Sequence, residues 1–251
     1  MDNMIFGIRP VMEAIETGKQ IAKIYLKQGA DGELFHKLAR LIKQHDIFVQ
    51  WVPTERLNRF TQKNHQGVVA LCAAIEFADF EKTIENILQT TTNPLVIILD
   101  GVTDVRNFGA IARSAECAGA NAVIMPAKGA APINADAVKT SSGALNIIPV
   151  CRVSNLKTAV FYLKSAEFQI IAASEKAEKL YYNVNYLKPT AIIMGAEGTG
   201  ISHTNIALCD EQVKIPVCGK INSLNVSAAA SVLMFETVRQ KQVNKQVHGI
   251  E

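Results

Sequence analysis

A chain of 251 residues, 49% hydrophobic and 20% charged, has the composition of a soluble protein with a substantial core, and length for one large or two medium domains. Its net charge of +3 permits an RNA partner without arguing for one, and its apolar runs fall far short of the ~20 residues a membrane span needs. The five cysteines Cys72, Cys117, Cys151, Cys209 and Cys218 are odd in number and lack C-x-x-C spacing; this excludes a disulfide frame or zinc site and suits reduced thiols in a cytoplasm.

The start, Met1-Asp2-Asn3-Met4, lacks the basic stretch and long apolar run of a secretion signal, so none is expected. Residues 10–17 predict a helix with Pro10 first and Gly18 after its end. Residues 21–26 predict a strand. Residues 33–45 place Leu34, Leu38, Leu41 and Ile42 on one helical face. Strands are expected at 47–52 and 68–73. Between them Arg56, Arg59, Lys63 and His65 cluster on a helix-to-loop stretch. Ten Lys and Arg stand against eight Asp and Glu in residues 1–78, so the cluster reads equally as a solvated face or a nucleic-acid contact.

Residues 79–93 read as a connector, with a short helix at 80–89 and a breaker at Thr90-Thr91-Thr92-Asn93-Pro94. The second domain, 94–251, opens with Leu95-Val96-Ile97-Ile98-Leu99, an unbroken apolar run suited to a strand buried on both faces. Further strands are expected at 122–125, 147–150, 169–172, 191–194 and, shorter, 213–216. Helical patterns at 109–118, 136–142 and 156–166 lie between them. This order predicts an α/β fold with a parallel sheet and right-handed crossovers.

The last helix, read over 224–239, carries Val226, Ala229, Ala230, Leu233, Met234 and Thr237 on one face. Asn225 or Ser227 is suited to cap it. Its entrance, Asn222-Ser223-Leu224-Asn225, fixes a polar corner to a rigid element.

Two other stretches carry chemistry. One runs from Asp100 through Asn107 to Arg113, leaving a buried strand and entering a helix, the edge where ligands of α/β sheets gather. Asn107 reads as the helix cap. Taken alone, Asn107 is more often a plain cap, and Arg113 a surface ion pair with Glu116. The other, Met194-Gly195-Ala196-Glu197-Gly198-Thr199-Gly200, brings a glycine-rich turn with one carboxylate directly after a core strand. It matches neither G-x-G-x-x-G nor the Walker pattern, which disfavours a phosphate-binding nucleotide enzyme.

Together, the Asn/Arg pair, the glycine turn with Glu and the Ser-x-Asn helix entrance resemble the three motifs of the SpoU-type branch of the SPOUT RNA methyltransferases. Phe6-Gly7-Ile8, the stretch from Pro10 to Ile15 and His65-Gln66-Gly67-Val68-Val69-Ala70 are similar to the ribosomal-protein-like RNA-binding domain that precedes the catalytic domain in one subgroup. Val105 departs from the pattern, standing where many relatives carry proline.

The resemblance implies an RNA-binding domain over 1–78 and a methyltransferase domain over 94–251 with a deep trefoil knot. It implies S-adenosylmethionine as methyl donor, held by Gly195, Gly198, Ile215 and Leu224. It assigns catalysis to Arg113, oriented with the ribose by Asn107, Glu197, Ser223 and Asn225. The implied substrate is a ribose 2′-hydroxyl of ribosomal RNA, in the nearest branch a guanosine of the 23S peptidyl-transferase loop. A homodimer with its active site near the interface is implied, with no role for DNA or a membrane. A tRNA methyltransferase of the same branch, or a non-catalytic RNA-binding assembly protein, remain alternatives.

Overall fold

The computed structural model describes residues 4–45 and 47–248. Met1–Asn3, on which the expected lack of a secretion signal rests, fall outside them. The chain divides into two compact units, residues 1–76 with 132–135, and residues 77–131 with 136–251.

The first unit contains β1 (Met4–Phe6), α1 (Ile8–Glu16), β2 (Ile21–Lys27), α2 (Glu33–Gln44), β3 (Val49–Val52), α3 (Thr54–Asn58) and β4 (Val68–Cys72). The sheet order is β1-β4-β2-β3, antiparallel except for the β2–β3 pair. Ile24, Leu26 and Val68 meet Val11, Ile15, Leu38 and Ile42 of α1 and α2 on one face. Tyr25, Val69 and Val52 meet Leu57 on the other. The alternation along β2 and β4 therefore buries both faces, as period-two side-chain placement requires.

Helix α1 starts two residues ahead of the expected Pro10. Proline is tolerated anywhere in a first turn, whose N–H groups have no intrahelical partner. β1 was not expected, being only three residues long.

The second unit contains α4 (Phe80–Thr90), β5 (Leu95–Asp100), α5 (Val105–Cys117), β6 (Ala122–Pro126), α6 (Ala135–Thr140), β7 (Val150–Val153), α7 (Leu156–Ser165), β8 (Gln169–Ala173), β9 (Lys179–Leu180), β10 (Thr190–Gly195), α8 (His203–Ile206), β11 (Glu211–Lys214) and α9 (Val226–His248). Seven strands form one sheet in the order β7-β6-β5-β10-β8-β11-β9, every pair parallel. All six residues of β10 are buried, as are Leu95 to Leu99 of β5, which is why these strands read as unbroken apolar runs. Ile84 and Ile87 of α4 are buried with Val96, Ile98, Val160 and Leu163, so the stretch read as a connector contains a helix that belongs to this core.

Two expectations shift. The strand expected at 147–150 begins only at Val150, because a 3-10 turn at Ala144–Asn146 precedes it and Ile147 is 69% exposed. The two-residue β9 carried no sequence signal.

Helix α9 extends nine residues past the expected end. Val226, Ala230, Leu233, Met234 and Thr237 are buried as the helical spacing requires, and so is one acid, Glu236. Its carboxylate accepts from Arg239 Nε at 2.7 Å, Arg239 Nη2 at 2.6 Å and Gln240 Nε2 at 2.8 Å. Gln240 also donates to the Val184 carbonyl at 2.9 Å and accepts from the Tyr186 N–H at 3.0 Å. Burial pushes the Glu236 carboxyl up, but the Arg239 and Gln240 hydrogen bonds outweigh it and hold it below its ordinary value.

Candidate active site

The strand order has a switch point. From β5 the chain steps outward to β6 and β7, then crosses back to lay β8 on the other side of β5, and β10 fills the gap between them. Ligands of parallel sheets gather outside the carboxyl ends of the strands at such a reversal. Here those ends are Asp100 of β5 and Gly195 of β10, paired with each other in register.

Gly195 is there because nothing larger fits. A Cβ on it would lie 2.3 Å from the Gly200 carbonyl carbon and 2.3 Å from the Ile201 nitrogen. The chain folds straight back along itself. Ala196 N–H donates to Gly200 O at 3.1 Å, and Gly200 N–H to Ala196 O at 2.9 Å. Gly198 and Gly200 close this loop with φ of +86° and +70°, a region glycine enters without strain. Glu197 stands on the loop, exposed.

Helix α5 approaches from β5. Its N-cap is Asp104, whose carboxylate accepts from the Asn107 N–H at 2.8 Å. The expectation that Asn107 itself caps the helix is thus corrected: it lies in the first turn with its side chain free for other work. Val105 takes the first helical position, one that suits proline well.

Asn225 enters α9 and uses both ends of its amide. Its Oδ1 accepts from the Ser227 N–H at 2.9 Å and the Ser227 hydroxyl at 2.6 Å, capping the helix. Its Nδ2 donates to Glu197 Oε1 at 2.7 Å and to Asn107 Oδ1 at 3.0 Å. Asn107 Nδ2 donates to the same Glu197 oxygen at 3.0 Å. Three side chains, 90 and 28 positions apart in the chain, therefore close a triangle.

Beside it opens a cavity of ≈ 470 Å³, within the range of small-molecule sites of about 300–1,000 Å³. It is lined by Gly195, Gly198, Ile215 and Leu224, and by Glu197, Ser223 and Asn225. Met194 and Leu233 add apolar wall, while backbone of the glycine turn supplies polar edges. The sequence reading missed Ala173, Ser174 and Glu175, which line the cavity from the end of β8. Their signal was their place: they follow a buried strand flanking the switch point.

Arg113 is not brought to the triangle within one chain. It lies six residues beyond Asn107 on α5, about 9 Å along the axis and about 120° around it. It is exposed, does not line the cavity and, among the described residues, makes no hydrogen bond or ion pair, so the pair with Glu116 is absent. Its neighbour Ser114 accepts a hydrogen bond from Ser231 of α9 at 2.8 Å. Of the basic cluster in the first unit, His65 is turned inward. Its Nδ1 accepts from the Gly67 N–H at 3.0 Å, which leaves Nε2 to donate to Asn58 Oδ1 at 2.9 Å. Arg56 and Arg59 remain outside, lining a depression with Glu55 and Phe60.

Residues 94–235 match the SpoU rRNA Methylase family, and residues 4–78 match the family described as RNA 2′-O ribose methyltransferase substrate binding. A Staphylococcus aureus protein described as a TrmH family tRNA/rRNA methyltransferase is 35% identical over 240 residues, 96% of this chain and 97% of its own. The SpoU methyltransferase AviRb from Streptomyces viridochromogenes, solved in complex with AdoMet, superposes with a TM-score of 0.62 at 23% identity, over 96% of this chain and 90% of that one. The A. aeolicus TrmH/SpoU tRNA modifying enzyme gives 0.57 at 27% identity, over 66% and 85%. The fold is thus a known one, and the chain belongs to the SpoU rRNA methylase family.

Proposed function

We propose that this protein transfers a methyl group from S-adenosylmethionine to a ribose 2′-hydroxyl of ribosomal RNA, with a guanosine of the 23S peptidyl-transferase loop as the target. One observation carries the reading: Asn107, Glu197 and Asn225 converge on the rim of the cavity lined by Gly195, Gly198, Ile215 and Leu224.

The cavity fits the donor. Backbone of the glycine turn lines it at Glu197 and Gly198, where it can offer hydrogen bonds to a purine or ribose, and Ile215, Leu224 and Met194 form apolar walls. When bound, S-adenosylmethionine supplies a methyl group made electrophilic by its sulfonium. The residues of this chain do the rest. The triangle fixes the angle at which the ribose is held. With the donor held by Gly195, Gly198, Ile215 and Leu224, its methyl carbon would be open to the ribose 2′-oxygen, and this chain's part would be to orient that hydroxyl and let its proton pass to solvent. Arg113, as a guanidinium, holds the adjoining phosphate and stabilises the charge that grows on the oxygen. Ser223, on the cavity wall, donates to the ribose.

Because Arg113 stands apart from its own triangle, the reading includes a homodimer in which a second copy of the chain completes each site. The trefoil knot of the family belongs to the same reading, as does a cytoplasmic location. Residues 1–78 serve as the RNA-binding domain, with Arg56 and Arg59 on phosphates.

The test is methyl transfer from labelled S-adenosylmethionine to total RNA, followed by mapping of the labelled nucleotide. Label on the ribose of a 23S guanosine is the expected result. Label confined to tRNA would move the substrate to the other alternative, and no transfer to any RNA would leave a non-catalytic binding protein.

A further inference from the structure

The charged residues that line the donor cavity are Glu175, Glu197 and Lys214. Glu197 is committed to the triangle through Oε1. Glu175 is exposed and, among the described residues, makes no hydrogen bond and no ion pair, with Lys214 or any other group. Its backbone is nevertheless well fixed. Ser174 N–H donates to the Val213 carbonyl at 2.9 Å, which ties the end of β8 to β11. Ala177 N–H donates to the Ser174 carbonyl at 3.2 Å, which closes a turn with Glu175 as its second residue. The Ser174 hydroxyl accepts from Lys176 N–H at 3.3 Å, and Ala177 is buried. None of these bonds uses the Glu175 side chain, so the turn holds its shape without the carboxylate.

The place of this acid relative to the glycine turn narrows what it can recognise. β8 is hydrogen-bonded to β10, with Ala172 opposite Ile193, and paired strands run about 4.8 Å apart. Two residues further along each chain stand Ser174 and Gly195, so Glu175 leaves the sheet beside the start of the glycine turn. Dinucleotide-binding sheets combine the same parts. There a glycine turn follows one strand, and an acid near the end of the strand beside it accepts from a ribose hydroxyl. An ionised carboxylate suits a vicinal diol, because both of its oxygens accept and neither donates.

We propose that Glu175 accepts hydrogen bonds from the 2′- and 3′-hydroxyls of the donor's adenosyl ribose, and so makes the cavity selective for a ribonucleoside. Glu175 is a binding residue and takes no part in the transfer step. The inference rests on the methyltransferase reading for the identity of the donor.

The experiment measures binding by calorimetry to wild type, Glu175→Gln and Glu175→Ala. The ligands are S-adenosylhomocysteine, its 2′-deoxy form, and 5′-methylthioadenosine, which keeps the ribose and lacks the amino-acid end. Losing hydrogen bonds to a charged group should weaken S-adenosylhomocysteine binding to Glu175→Ala roughly tenfold to a hundredfold, with Glu175→Gln between it and wild type. Binding of 5′-methylthioadenosine should weaken by the same factor. Wild type should prefer the ribose form to the deoxy form by roughly tenfold, and Glu175→Ala should lose most of that preference. Melting temperatures without ligand should stay near wild type, because the side chain makes no bond within the fold. Equal affinities in wild type and Glu175→Ala overturn the inference, and normal methylation of RNA by the same wild type would leave the methyltransferase reading intact. A loss seen with S-adenosylhomocysteine but not with 5′-methylthioadenosine also overturns it, since the acid would then hold the ammonium group. Wild type that shows the expected ribose preference yet transfers no methyl group to RNA would instead strike at the methyltransferase reading alone.

Discussion

Asn225 and Ser223 stand two residues apart in the entrance to α9, yet their surroundings are opposite. Asn225 has both ends of its amide engaged, capping the helix with one and holding Asn107 and Glu197 with the other. Ser223 lines the cavity and, among the described residues, holds nothing. On α5 the same contrast separates Asn107, engaged at both amide ends, from Arg113, which is exposed and, among the described residues, unbonded. Groups whose hydrogen bonds are already made can orient a substrate but have little left with which to change their bonding during a reaction. Groups held open on a rigid frame keep that capacity.

The largest effect should come from the open group. Arg113→Ala is expected to lower the methyl-transfer rate by about 10²–10³-fold, the usual cost of removing a group that stabilises developing negative charge. Donor binding, measured by calorimetry, should stay unchanged, because Arg113 does not line the cavity. A rate near wild type would reject its role. The same variant tests where the residue acts. Mixed in equal amounts with inactive Asn225→Ala chains, it should recover roughly a quarter of wild-type activity if each site is built from two chains in a twofold dimer. No recovery would place Arg113 with the triangle of its own chain.

Next comes the frame. Gly195→Ala places a Cβ 2.3 Å from backbone that the Ala196–Gly200 pair holds in place. Such overpacking costs about 1–3 kcal/mol or more, and here the strain must be relieved by opening the loop that carries Glu197. A lower melting temperature together with lost donor binding is expected. Full donor affinity would show that the loop is not part of that site.

How far these parts could be read from sequence depends on the range of the interaction that fixes them. β5 and β10 were legible because burial on both faces writes itself into five or six consecutive apolar residues. The stripe on α9 was legible because helical spacing is local. The strand expected at 147–150 was misplaced because Ile147 and Ile148 look like strand residues, while a preceding 3-10 turn and pairing with Val123 decide where the ladder starts. Asn is a good cap, which is all that the local sequence around Asn107 offers, but Asp104 does that work. The choice between them rests on contacts with Glu197 and Asn225, 90 and 118 residues away. Glu236 gave no hint of burial, because its partners Arg239 and Gln240 look like ordinary surface residues of a helix.

The engaged half of the comparison makes a smaller prediction. Asn225→Ala removes a helix cap, worth about 1 kcal/mol, and two side-chain hydrogen bonds that contribute about 0.5–1.5 kcal/mol each. Denaturant unfolding should register a loss of about 2–4 kcal/mol on that reckoning. Ser223→Ala should fall within about 0.5 kcal/mol of wild type, as surface substitutions do, while still slowing methyl transfer. A comparable stability loss from both would erase the distinction between frame and working group.

The smallest effect tests whether an engaged group away from the site behaves by the same rule. Glu236 is held below its ordinary value by Arg239 and Gln240 in spite of burial. Its folded-state pKa is thus lower than in the unfolded chain, where a glutamate titrates near about 4.3. The stability it contributes is fully present above that value and is lost as pH falls through the lower, folded value. Glu236→Gln keeps the shape and gives up this linkage, so the stability gap between wild type and variant should be constant from neutral pH down to about 5 and narrow below about 4. Unfolding midpoints across that range measure it. A gap that widens on acidification would mean that burial, not the hydrogen bonds from Arg239 and Gln240, governs this carboxylate, and that the clamp of Gln240 on Val184 and Tyr186 holds without it.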